Sequence, residues 1–179
     1  MNRRRVLKVL GAGVALGATG LGAAAAAIRF RPHPYWTSLA EVRAWLEANP
    51  PGRMTSTGAW SAAQIFSHGA QSLELSLSGF PAPKPAWFRH TVGPAAFAVF
   101  SGLGGTRHGL SDVIPGTDLG DLLTDPVAAH RRLLDAIASF QQSEQLMPHF
   151  AYGELSHDEL DRAHAMHISE HLVEIPDHG

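Results

Sequence analysis

Cysteine is absent from the 179 residues of this chain. That absence excludes disulfide scaffolds, thiolate zinc sites, iron–sulfur clusters, attached c-type haem and cysteine nucleophiles together. No Lys/Arg-rich stripe appears after residue 27, so the phosphate-binding patch that a nucleic-acid partner needs is missing. There is no Gly-x-Ser-x-Gly elbow of the kind a serine hydrolase uses. Neither strand-type alternation nor an internal repeat is present.

Histidine, in contrast, is abundant: 11 stand beside 16 carboxylates. It is the commonest metal ligand and the usual general base near neutral pH, so a functional site here would be built on histidine or on histidine with a carboxylate. The length suits one domain with its own hydrophobic core, expected over residues 38–175.

The formal net charge of −2 hides an asymmetry. Residues 1–27 hold Arg3, Arg4, Arg5 and Lys8 and no acid; without these four cations, 10 basic residues face 16 acidic ones and the remainder sits near −6. The opening Arg3-Arg4-Arg5-Val6-Leu7-Lys8 is followed by a run of Gly, Ala, Val, Leu and one Thr from Val9 to Ala27. Basic start, apolar stretch and small closing residues are the three parts of an export signal. The register of the arginine pair with Val6, Leu7 and Lys8 resembles the twin-arginine address of bacterial export. Residues 1–27 are therefore expected to be a signal helix, with Ala23 to Ala27 offering Ala-x-Ala cleavage sites. An uncleaved run would approach the ~20 residues that span a bilayer and would anchor the protein instead. The expected partner is the twin-arginine export machinery, and the expected location is periplasmic or extracytoplasmic. Contact with a membrane is expected only through this segment. Gly11, Gly13 and Gly17 form a partial nucleotide fingerprint, but no strand precedes it.

Residues 28–37 read as a linker. Ser38-Leu39-Ala40-Glu41 then forms a capping box, and Leu39, Val42 and Leu46 follow at helical spacing until Asn49-Pro50-Pro51-Gly52 stops the helix. A second helix is predicted from Trp60 to Ser78, closed by Gly79 and Pro81. The central segment is rich in Pro and Gly. A short helix is predicted within Trp87–Phe100, interrupted near Gly93-Pro94, and a loop over 102–120. Asp125-Pro126 supplies an N-cap with proline at the first helical position. A third long helix is predicted from there to about Gln145. Ser156-His157-Asp158-Glu159 is a further capping box, opening a helix to about Val173. Four long helices with apolar stripes and no strands predict an all-α four-helix bundle.

On the last helix His164, His167 and His171 share one face. His167 and His171, one turn apart, are spaced to converge on one ion. Catalytic metal sites typically take three protein ligands and keep an open position, so another element must supply the third. His68, in the middle of the second helix, is the natural donor, with Gln64, Gln71 and Ser72 flanking it as supporting groups. His167-Ile168-Ser169-Glu170-His171 also spells the His-x-x-Glu-His peptidase motif, with Glu170 as base. That motif needs a further carboxylate ligand well downstream, and only eight residues follow His171. Diiron chemistry needs paired Glu-x-x-His motifs. Only Glu154-Leu155-Ser156-His157 has that spacing, and it straddles a helix start.

Two stretches bear a resemblance to a known family. His68-Gly69-Ala70-Gln71-Ser72-Leu73-Glu74 with the closing Ser78-Gly79-Phe80-Pro81 resembles the second helix of the DinB/YfiT-like four-helix metalloprotein superfamily. Pro148-His149-Phe150-Ala151-Tyr152-Gly153-Glu154-Leu155-Ser156 and His164-x-x-His167-x-x-x-His171-Leu172 are similar to its last helix and the turn before it. The likeness also takes in Ile114-Pro115-Gly116, covers roughly residues 38–175, and is strongest to the branch called domain of unknown function 1569. It implies a bundle binding one divalent metal through His68, His167 and His171, with His164 in the surrounding shell or pocket wall. Many members have histidine where this chain has Glu170, and Arg-Gln where it has Val173-Glu174. Some relatives are thiol-dependent transferases and isomerases in which the metal activates a cofactor thiolate. An exported protein would lack ready access to cytoplasmic thiols, which favours a hydrolytic or purely metal-binding role.

The expected metal is zinc, nickel, iron or copper, since three imidazoles suit each. Glu170 or His149 is a candidate proton carrier. Expected partners are a small-molecule substrate and a second copy of the chain as a homodimer. An apolar cleft above the ion, walled by Trp or Phe of the Trp87–Phe100 segment, would mark an enzyme. A fourth ligand from His164 or a carboxylate would mark a closed, noncatalytic site.

Overall fold

The computed structural model describes residues 36–176. The signal-like segment 1–27 and most of the linker lie outside them. Among the described residues the chain is all-helical: six α-helices, two short 3-10 turns and no strand. The only extended pairing among them is an isolated bridge between His149 and Gly153.

Helix starts follow the chemistry written in the sequence. Helix α1, Leu39–Ala48, begins at Ser38, whose hydroxyl accepts from the Glu41 amide while the Glu41 carboxylate accepts from the Ser38 amide. It buries Leu39, Val42 and Leu46 and ends at Asn49, before the turn Pro51–Arg53. Helix α2, Ala62–Ser78, begins two residues after Trp60 because Ser61 is its N-cap, reciprocated by Gln64. It ends at Gly79, whose φ of 103° suits only glycine.

Helix α3, Ala86–His90, and helix α4, Val92–Leu103, are divided at Thr91, not at Gly93-Pro94. Pro94 lies in the first turn of α4, where an amide has no helical acceptor and its absence costs nothing. Helix α5, Pro126–Gln142, starts on Asp125, whose carboxylate accepts from the Ala128 amide at 2.8 Å. Ser143 turns extended and ends it before Gln145. Helix α6, His157–Leu172, opens on the reciprocal pair Ser156 and Glu159.

Helices α1, α2, α5 and α6 share one core. The longest contact is between α2 and α5. Gly69 makes close approach possible, because a Cβ there would lie 3.2 Å from Ile168 of α6 and 3.4 Å from Leu133 of α5. At the edge of that contact Arg132 donates to both carboxylate oxygens of Glu74 and to the Ser67 hydroxyl. Helix α1 is fixed to α6 by the amides of Trp36 and Leu39, which donate to Ser169 and Asp161. A smaller cluster of Phe97, Ala163 and Met166, with Tyr152 against it, seats α4 on α6.

Candidate metal centre

Helix α2 is buried on nearly every side, so its polar residues need partners inside the protein. His68 sits at its middle, facing the histidines of α6. His68, His167 and His171 each offer a nitrogen, all within 4.8 Å of one another, and this group could hold a metal ion. The ring centroids form a near-equilateral triangle with sides of 4.7, 4.9 and 5.0 Å. His68 Nε2 and His167 Nε2 are 3.1 Å apart. Nitrogens bound at 2.0–2.1 Å to a tetrahedral ion would stand about 3.3 Å from each other, close to the separation seen.

The remaining nitrogens strengthen the fit. His68 Nδ1 and both ring nitrogens of His171 are buried with no hydrogen-bond partner. Leaving such groups unpaired is costly, and an ion on one ring lone pair would remove the cost at one of the two His171 nitrogens. Burial is the main cause that lowers all three pKa values, with the facing histidines adding to it. For His68 the value falls to about 4. At neutral pH the three rings are neutral, the form a metal requires. Trp60 closes the inner side, stacked on His171 and edge-on to His68.

His164 is placed one turn before His167, but its nitrogens face helix α2. Nε2 lies 2.7 Å from the Ser76 hydroxyl and Nδ1 lies 3.4 Å from that of Ser72. Each serine also donates to a backbone carbonyl of α2, Ser72 to Gly69 and Ser76 to Ser72, so the two hydroxyls that meet the ring are themselves tied to the helix. His164 therefore pins α6 to α2 and forms part of a cavity wall. Glu170 is fully buried on α6 and is not among the cavity residues. Gln64 is engaged in capping α2, and Gln71 is buried without a hydrogen bond to the three histidines.

His108 is a residue the sequence does not single out. It comes from the irregular segment between α4 and α5, is exposed, and stands with its ring centroid 4.8 Å from both His167 and His171. No periodicity or motif surrounds it, so only the fold reveals its position.

A cavity of about 370 Å³ opens beside the triad, with His68 and His167 in its wall. Its apolar surface includes Phe80, Ile114, Phe150 and Tyr152. The Trp87–Phe100 segment contributes none of it: Trp87 is 65% exposed, and Phe97 packs on Tyr152 instead. The segment 106–115 and the turn 149–152 take the place expected for that helix.

A family described as protein of unknown function (DUF1569) has a model that matches residues 33–178, so the chain belongs to that family. No curated protein and no solved structure matches the chain.

Proposed function

We propose that this member of the DUF1569 family is an exported protein that binds one divalent metal ion through His68, His167 and His171 and uses it in hydrolase- or transferase-type chemistry. One observation supports the reading above the rest: three neutral, buried or partly buried imidazoles meet beside a cavity large enough for a small molecule, two of them in its wall. Their packing in helices α1, α2, α5 and α6 fits a DinB-like four-helix bundle, in which facing helices supply the ligands. A divalent ion there would supply Lewis acidity at the cavity wall. The chain's own groups do the rest. His68 and His167 fix the ion's position on the substrate side, and Trp60 shields it from the core side. The segment 106–115 shapes the space that a substrate would fill. No fourth ligand from His164 stands against the reading, since both its nitrogens face serines.

Export rests on the twin-arginine-like segment, which would place the protein in the periplasm, or on the membrane if the segment stays. A folded export route suits a protein that takes up its metal before crossing. A second reading, a noncatalytic metal-binding protein, draws on His108, which is near enough to His167 and His171 to close the face toward solvent.

The test is elemental analysis of the purified mature chain, repeated with His68→Ala and His171→Ala. One ion per chain is expected in the parent and a large loss in both variants. Unchanged metal content in both variants would refute the assignment.

A further inference from the structure

Two polar groups in the cavity wall have no role in holding a metal, His149 and Thr106. His149 begins a tight turn in which its amide and carbonyl exchange hydrogen bonds with Gly153, at 2.9 and 3.0 Å. Within the turn, His149 Nδ1 accepts from the amides of Ala151 and Tyr152 at 3.2 and 3.1 Å. A nitrogen that accepts two N–H groups carries no proton, so the proton of the neutral ring sits on Nε2. Burial, reinforced by the facing His164, lowers the pKa to about 3, so the ring stays neutral under physiological conditions. One face of the ring stacks on Tyr152, with centroids 4.4 Å apart and planes 12° apart. The imidazole is thereby locked in tautomer and in orientation. Among the described residues, no acceptor meets its Nε2–H.

Thr106 comes from the opposite part of the chain, the segment that follows the left-handed cap at Gly104. It is 5% exposed, lines the same cavity, and its hydroxyl has no hydrogen-bond partner. A buried hydroxyl without a partner costs stability, and Thr106 carries one in the wall of this cavity. Around Thr106 and His149 the wall is apolar, with Phe80, Ile114 and Phe150. The exposed Lys84 and Arg107 also border the cavity, against a single carboxylate, Asp112, and favour a negatively charged ligand.

We propose that this cavity binds a small molecule bearing an acceptor oxygen, a carbonyl or a carboxylate, held by His149 Nε2–H and the Thr106 hydroxyl. The apolar body of the ligand lies against Phe80, Ile114 and Phe150. The inference deepens the metal-enzyme reading and rests on it, because the same wall contains His68 and His167 and so brings the held group beside the ion. His149 is then a binding residue with a fixed donor, not a proton carrier.

Benzoate is the probe, since it joins a carboxylate to a flat apolar ring. It is titrated calorimetrically into the zinc-loaded full chain, and into His149→Asn and Thr106→Val, with zinc content measured for each. In His149→Asn the introduced amide oxygen takes the place of Nδ1 as acceptor for the turn amides, so the variant removes the Nε2–H and leaves the turn intact. Valine keeps the shape of Thr106 without its hydroxyl. Each variant is expected to weaken benzoate about tenfold, the size of one hydrogen bond, with zinc content unchanged. Absence of benzoate binding by the parent chain overturns the proposal. Affinity equal to the parent's in both variants does the same, as does loss of zinc from His149→Asn. Should His149→Asn fail to fold, Thr106→Val decides alone. If the parent holds no zinc, the metal reading falls by itself. The same titrations on the metal-free chain then judge the cavity, weaker binding by the variants supporting it and equal binding overturning it.

Discussion

Trp60 lies flat on His171, with ring centroids 5.6 Å apart and planes 3° apart, and meets His68 edge-on at 5.0 Å. One indole thus touches two of the three histidines. The other tryptophans are elsewhere: Trp36 and Trp45 pair with each other, and Trp87 is exposed. Fluorescence should therefore report the centre through Trp60. Adding cobalt or copper to the metal-free chain is expected to quench a minority of the tryptophan emission at one equivalent. Trp60→Phe should abolish most of that quenching while still binding metal. Equal quenching in the variant would show the ion binds away from Trp60.

The turn that holds His149 depends on two glycines. Gly153 has φ of 81°, and a Cβ there would collide with the Arg89 carbonyl. A Cβ at Gly93 would collide with the Ala151 carbonyl. Helices α3 and α4 thus press on the turn with backbone against backbone, where nothing can rotate away. Gly153→Ala is expected to destabilise the protein by about 2–3 kcal/mol, from left-handed strain and the clash together. Urea unfolding measures this. A change below about 0.5 kcal/mol would mean the turn is not packed as described.

Phe140 is fully buried on α5 and packs against His157 and His164, at 5.0 and 5.4 Å. It fills the space beneath the cavity-lining part of α6. Phe140→Ala should cost about 3–5 kcal/mol in unfolding free energy, the usual range for emptying such a site. Thermal melting of the metal-free variant checks it, and a near-parental Tm would argue against a packed core there.

His108 separates the two readings of the centre. With an open position toward the cavity, His108→Ala leaves the metal content and the visible absorption of the cobalt-substituted protein unchanged. This is the expected result. A shift of the cobalt bands in that variant would make His108 a fourth ligand and favour the noncatalytic reading.

The helix starts are legible in the sequence because their chemistry is local: Ser38 with Glu41, Asp125 with Pro126, and Ser156 with Glu159 lie within four residues of each other. The pair His167 and His171 is legible for the same reason, since helical periodicity alone puts them on one face. His68 is a harder case, the natural third donor on another helix, with the family resemblance in support. His108 and Thr106 belong to a segment with no periodicity, and only tertiary folding decides where it lies. The break at Thr91 is hidden because Gly93-Pro94 is the stronger stop signal in sequence, yet proline is harmless in a first turn. Ser61 is easily overlooked as a cap because its partner is Gln64 rather than Glu, although the geometry is equivalent.

The buried histidines set a pH dependence whose direction follows from burial. His149 and His164 ordinarily titrate near 6.5, and burial lowers each to about 3 in the folded protein. As pH falls below about 6.5, the unfolded chain takes up protons at these two residues while the folded chain does not. Unfolding then binds protons, so stability rises with pH in this window and is lost as pH falls. Each histidine contributes up to about 1.4 kcal/mol per pH unit, so the pair contributes up to about 2.7 kcal/mol per unit between roughly pH 6 and pH 3. The triad histidines, lowered for the same reason, steepen the slope in the metal-free chain. Urea midpoints of metal-free protein are expected to drop sharply from about pH 7 to about pH 5, and His149→Asn should remove one histidine's share of the drop. A midpoint independent of pH across that range would show that these rings are protonated, and solvated, in the folded state.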